Sequence, residues 1–175
     1  MTQRVALLFV EAHPNTQTPK HPNTIFLKHV IIYTDGSCSG NPGPGGWAAV
    51  LKYGPHERVV TGAAPETTNN RMELRAALEA LRALKEPCRV SLHTDSAYLV
   101  RAFNEGWLDN WQRKGWRTAS KKPVENKDLW EGLLEQAARH HITWIKVKGH
   151  ADDPLNNRVD ELAVEAMNRG RWERV

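Results

Sequence analysis

Near residue 70 the spacing of apolar residues changes, and this change constrains the fold more than any other feature of the chain. Before it lie three short runs that suit pleated strands: residues 30–34 (Val-Ile-Ile-Tyr-Thr), 47–52 and 58–63. Asp35-Gly36 closes the first run, and residues 37–46 hold so much glycine and proline that they read as a loop. Residues 53–56 join the second and third runs. Three consecutive strands with short connections predict an antiparallel meander.

After the change, Leu74, Leu78, Leu81 and Leu84 recur at helical spacing, so residues 70–85 read as an amphipathic helix stopped before Pro87. Residues 89–94 form a strand, and residues 96–105 a helix that ends at Gly106. Asn126 is placed to cap a helix bearing Leu129, Trp130, Leu133, Leu134 and Ala137 on one face. Residues 142–147 form a fifth strand, and residues 157–167 a last helix. Strands separated by helices run parallel with right-handed crossovers. The expected fold is therefore α/β, a mixed five-stranded sheet flanked by helices.

The 175 residues suffice for one domain. Residues 1–28 contain a tandem His-Pro-Asn-Thr (13–16 and 21–24) and read as a tail or linker, although the apolar run 5–10 suits an edge strand equally well. Residues 29–170 form the expected domain, and residues 171–175 a C-terminal tail. No apolar run approaches the roughly 18 residues of a membrane span, and no cleavage site follows the first apolar run, so a cytoplasmic location is expected. Cys38 and Cys88 form no CxxC pair and read as reduced thiols. No unexplained apolar stripe is evident, so a monomer is expected.

Net charge is +4, and residues 107–127 alone carry six bases (Arg113, Lys114, Arg117, Lys121, Lys122, Lys127) against two acids. The whole excess is thus focused on one segment, as for a phosphate-binding patch. The bland reading is a solvated charged loop. Trp107, Trp111 and Trp116 between the bases argue against it.

Four acids stand at ends of elements: Asp35, Glu73, Asp95 and Asp160. Each has an ordinary explanation. Asp35 suits a turn before Gly36, Glu73 a capping box with Asn70, Asp95 a cap for the following helix, and Asp160 a capping position after Asn157. Taken together they suggest more, because sites in open α/β sheets form outside the carboxyl ends of parallel strands. Asp35 and Asp95 end two such strands; element order alone leaves Glu73 and Asp160 unplaced. Two carboxylates ~4 Å apart repel by roughly 4 kcal/mol at an effective dielectric near 20. Such a cluster needs a cation or a bound proton, and oxygen-only ligands favour Mg²⁺ or Mn²⁺.

Residues 33–47 (Tyr-Thr-Asp-Gly-Ser-Cys-Ser-Gly-Asn-Pro-Gly-Pro-Gly-Gly-Trp) resemble the first strand and loop of bacterial type 1 ribonuclease H. Residues 67–74 (Thr-Thr-Asn-Asn-Arg-Met-Glu-Leu) resemble its first helix start, Thr94-Asp95-Ser96 its third acidic position, and residues 147–150 with Asn156 and 160–163 its last. The resemblance runs in order from about residue 30 to 167. It implies a ribonuclease H-like fold and an endonuclease that cuts the RNA strand of RNA–DNA hybrids, leaving 5′-phosphate and 3′-hydroxyl ends. It further implies that Asp35, Glu73, Asp95 and Asp160 hold two Mg²⁺ ions (Mn²⁺ as substitute) around the scissile phosphate, and that His150 assists as a proton shuttle or in product release. Asn41, Asn69 and Asn70 match contacts to the hybrid's minor groove and sugars. Thr68, Trp107 and Asn110 match a DNA-phosphate site. Trp111, Arg113, Lys114, Lys121 and Lys122 fall in the family's basic protrusion, residues 107–127.

Three positions depart from the family pattern. Asp152 and Asp153 follow His150, where a glycine is usual at the first of the two; these acids are expected to raise the histidine's pKa and stiffen the loop. Asn157 stands where glutamate is common, and Ala97 where a substrate-contacting Gln or His is common. Other nucleases or strand-transfer enzymes of this fold, a non-catalytic duplex-binding module and an excised reverse-transcriptase domain are the competing readings.

Overall fold

A computed structural model describes residues 27–149 and 152–170. The meander is present as β1 (His29–Cys38), β2 (Gly43–Tyr53) and β3 (His56–Thr67). There follow α1 (Asn69–Arg82), β4 (Arg89–Thr94), α2 (Ala97–Asn104), α3 (Trp107–Arg113), α4 (Lys127–Arg139), β5 (His141–Lys146) and α5 (Pro154–Asn168). The strands lie in the order β3-β2-β1-β4-β5. The three meander strands pair antiparallel, and β1, β4 and β5 run parallel.

Helices cover both faces. On one, Ile32, Leu51, Val90, Leu92 and Trp144 of the sheet meet Leu74, Leu78 and Leu81 of α1, Leu99 of α2 and Leu129, Trp130 and Leu133 of α4. On the other, Ala48 and Val50 of β2 meet Val159 and Ala163 of α5. The second core is small because α5 lies over the meander side only, chiefly on β2 and β1.

The expected loop at residues 37–46 shrinks to residues 39–42. Glycine propensity suggested a loop, but here bareness is a packing requirement of the sheet. A Cβ on Gly45 would lie 2.4 Å from Thr67 Cγ2, and one on Gly46 would lie 2.3 Å from the Ala163 carbonyl of α5. Pro44 is accommodated where the β2–β3 register shifts between Gly43 and Gly45.

Helix starts depart from expectation in an informative way. α5 begins at Pro154, three residues early, because Asp153 caps it by accepting from the amides of Leu155 (3.1 Å) and Asn156 (3.3 Å), with proline in the first turn. Asn126 precedes α4 but does not cap it. Its backbone is left-handed (φ 58°), and its side-chain oxygen accepts instead from Arg71 Nη1 at 3.2 Å. The tail at residues 1–26, including the apolar run 5–10, lies outside the described residues, as do residues 171–175.

Candidate active site

The parallel register of β1 and β4 ends at the pair Thr34–Thr94. The next residue on each strand is an acid, so Asp35 and Asp95 emerge side by side at the carboxyl end of the sheet. Asp35 is buried at 6 % exposure. α1 reaches the same point because it lies directly on Gly36, where a Cβ would stand 2.3 Å from the Glu73 amide nitrogen. Glu73 is thereby set beside Asp95, whose charge it feels. α5 rests on Gly46 in the same manner and presents Asp160 from its second turn to hydrogen-bond with Asp35. Asp35 thus meets Asp95 and Asp160, and Glu73 meets Asp95.

None of the four is consumed by an ordinary structural task. Thr68, not Asn70, caps α1, accepting from the Arg71 amide at 3.3 Å. Ser96, not Asp95, caps α2, accepting from the Leu99 amide at 3.2 Å. Asp160 lies well inside α5. Asp35 sits within β1, opposite Ala48, rather than in a turn.

The electrostatics follow from this crowding. Burial, then the Asp95 charge, push the Asp35 carboxyl up to about 8; the Gly36 amide opposes this, and Asp160 adds to it. Burial also raises Glu73, together with Asp95, while Ser96, Asn69 (Nδ2 to Oε1, 2.8 Å) and the charge of Lys146 hold it down. Ser96 and Lys146 were not singled out in the sequence. Ser96 enters there only as the residue after Asp95 that opens the expected helix, and Lys146 only as a charge within the expected strand 142–147. Among the described residues no group of three acid, histidine or cysteine side chains is already arranged as a metal-ligand set. A bound cation would have to draw these oxygens inward.

The polar residues expected to contact substrate adjoin the acids. Asn41 Oδ1 accepts from the Asn69 amide at 3.3 Å, tying the β1–β2 turn to the start of α1, with Thr68 and the exposed Asn70 on either side. His150 and Ala151 lie outside the described residues. The preceding Gly149 passes close over Asp95, a Cβ there being 3.1 Å from Oδ2. Beyond the loop, Asp153 is taken up as the α5 cap and also bonds Tyr33; Asp152, Asn157 and Ala97 are exposed.

The basic segment is built on an aromatic anchor. Trp107 and Trp111 of α3 pack together at 6.0 Å; Trp111 meets Trp130 edge-on at 5.6 Å, and Tyr98 joins both clusters. Trp107 and Trp111 are therefore half-buried packing residues, and Asn110 is likewise half-buried. Arg113, Lys114, Lys121 and Lys122 are exposed. Arg71 ties this segment's end to α1, donating to Asp128 through both terminal guanidinium nitrogens and to Asn126 through Nη1.

By strand order and helix placement this is a ribonuclease H-like fold. A profile of the RNase H family matches residues 27–168. The chain is 63% identical over 141 residues to the ribonuclease H of Moorella thermoacetica, covering 81% of this chain and 93% of that one. It is 62% identical over 144 residues to that of Symbiobacterium thermophilum, covering 82% and 98%. Among solved structures, LC9-RNase H1, a type 1 RNase H with the type 2 active-site motif, superposes with a TM-score of 0.73 at 34% identity, covering 82% of this chain and 74% of that one. LC11-RNase H1 in complex with an RNA/DNA hybrid superposes with a TM-score of 0.56 at 26% identity, covering 80% and 97%. The chain belongs to the RNase H family, enzymes that cleave RNA in RNA–DNA hybrids.

Proposed function

We propose that this protein is a metal-dependent endoribonuclease that hydrolyses the RNA strand of RNA–DNA hybrids at the four-carboxylate cluster, giving 5′-phosphate and 3′-hydroxyl ends. One observation carries the reading: the β1–β4 register and the close seating of α1 and α5 bury Asp35 beside Asp95 and Asp160, with Glu73 beside Asp95. A domain gains no stability from such an arrangement. Such crowding favours a bound cation.

The donor set fits Mg²⁺, with Mn²⁺ as a substitute: oxygen ligands only, from Asp35, Glu73, Asp95 and Asp160. When bound, two such ions supply Lewis-acid stabilisation of the attacking and leaving oxygens of an in-line displacement. The protein's own residues do the rest. Ser96 and Asn69 orient Glu73 by hydrogen bonds. Asn41, Asn69 and Asn70 offer amide groups to the minor groove, where the RNA 2′-hydroxyl distinguishes the strand to be cut. Thr68, Trp107 and Asn110 take a DNA-strand phosphate. Arg113, Lys114, Lys121 and Lys122 hold the duplex backbone without reading its sequence. His150, in the loop after Gly149, serves as a proton shuttle or assists product release. Residues 29–170 constitute the catalytic unit, and the protein acts in the cytoplasm as a monomer. No helix among the described residues is long and apolar enough to cross a membrane.

The test is cleavage of end-labelled RNA paired with DNA, paired with RNA, and single-stranded, with a DNA duplex as control, each with Mg²⁺ and with chelator. Cutting confined to the hybrid and abolished by chelator is the expected result. Hybrid binding without cutting under any metal would reduce the protein to a binding module.

A further inference from the structure

β5 ends at Lys146, and the register places that residue at the rim of the acid cluster. Lys146 pairs with Thr94, the residue before Asp95, and Thr94 pairs with Thr34, the residue before Asp35. Side chains alternate across a strand. Trp144, two residues earlier, points into the core that α1, α2 and α4 cover, beneath α2 and α4 and stacked on Phe103 at 4.0 Å. Lys146 therefore leaves the sheet on that same face, from which Glu73 of α1 enters the cluster. There its positive charge acts on Glu73.

The ammonium does not close on Glu73. It is exposed and donates to the Val147 carbonyl at 2.7 Å, and among the described residues it forms no ion pair. A lysine held by one backbone oxygen keeps two of its three donors for another acceptor. The acid cluster repels any phosphodiester that approaches it, and a cation at its rim offsets that repulsion along one line of approach. A compact ammonium suits a single phosphate oxygen and demands no planar, two-pronged partner.

We propose that Lys146 contacts the substrate directly, its ammonium taking a non-bridging phosphate oxygen of the RNA strand next to the scissile linkage. This rests on the cluster being the hybrid-cleaving site. The test measures hybrid affinity by fluorescence anisotropy, with Ca²⁺ replacing Mg²⁺, for the wild type, Lys146→Gln and Lys146→Arg. Loss of one charge-assisted contact is expected to weaken Lys146→Gln by about five- to tenfold and to lower its salt dependence by about one released counterion, with Lys146→Arg largely restoring both.

A second arm uses hybrids in which single RNA phosphates beside the cleavage point are replaced by neutral methylphosphonates, with 2′-O-methyl at the adjoining sugar. At one position the wild type and Lys146→Gln should become equal. Equal affinity and equal salt slopes of the two proteins on the unmodified hybrid would overturn the assignment, as would a variant that shifts only the Mg²⁺ concentration needed for cleavage. A wild type that binds no hybrid would overturn the cleavage reading itself along with it.

Discussion

The carboxylate end of the sheet and the basic segment at residues 107–127 are built on opposite principles. At the sheet end, position is set by backbone: a strand register delivers Asp35 and Asp95, and two glycines let α1 and α5 sit directly on the strands. In the basic segment, position is set by side chains. Trp107 and Trp111 clamp α3 to Trp130, and the chain then bends through left-handed residues at Trp116, Lys121 and Asn126. One region accepts an electrostatic penalty in a rigid frame. The other spreads exposed charge over turns hung on an aromatic anchor. Chemistry that needs fixed oxygens belongs with the first, and grip on a repeating backbone with the second.

The sharpest way to break this comparison is Asp35→Asn. Cleavage of hybrid should fall by more than about a hundredfold, since even residues behind a metal's ligands typically matter at ten- to a hundredfold. Stability of the metal-free protein should move the other way. Asp35 ionises near 3.8 in the unfolded chain and at about 8 in the folded one, so between those values the folded state holds the extra proton. Stability of the metal-free protein therefore falls as pH rises through that window, and levels off above it. Thermal melts in chelator should show Tm dropping from about pH 5 to pH 8 in the wild type and a flatter profile in Asp35→Asn. A steeper profile in the variant would refute the account of the cluster.

Trp130→Ala tests the other region's frame. Trp130 is fully buried and meets Tyr98, Phe103 and Trp111, so a loss of about 3–5 kcal/mol in denaturant melts is expected. Replacing the exposed pair Lys114 and Lys122 with glutamine should leave Tm unchanged, weaken hybrid binding about tenfold, and reduce the salt slope by roughly two. Lys121→Gly is the smallest expected effect. Lys121 holds φ at 63°, and relieving a side chain there should gain about 0.5–1 kcal/mol, net of glycine's added freedom when unfolded. A loss instead would mean that the lysine stem packs usefully in the turn.

Where apolar periodicity ran over a whole element, the sequence was readable: residues 89–94 emerge as β4 without change, and the Leu74–Leu81 spacing as α1. The four acids were readable as candidates because each stood beside an element boundary expected from the sequence. Their convergence was not, since it depends on what Gly36 and Gly46 lack, and a missing Cβ looks the same in a loop as under a helix. The same ambiguity turned the end of β1 and the first four residues of β2 into an expected loop. Cap residues were misassigned by one to four positions: Thr68 for Asn70, Ser96 for Asp95, Asp153 for Asn157. Neighbouring polar side chains compete for the same amides, and only the backbone angles decide among them. The left-handed Asn126 was indistinguishable from a cap for the same reason.

The glycine seats under α1 and α5 also have a mechanical consequence. Backbone resting on backbone has no rotatable side chain between the bearing surfaces, so this joint cannot be taken up by repacking when the molecule is squeezed or warmed. The Trp107–Trp111–Trp130 joint consists of rings that can slide past one another. Under hydrostatic pressure the spacing of the four acids should hold while the aromatic joint yields first, leaving the cutting edge in alignment after the grip has loosened.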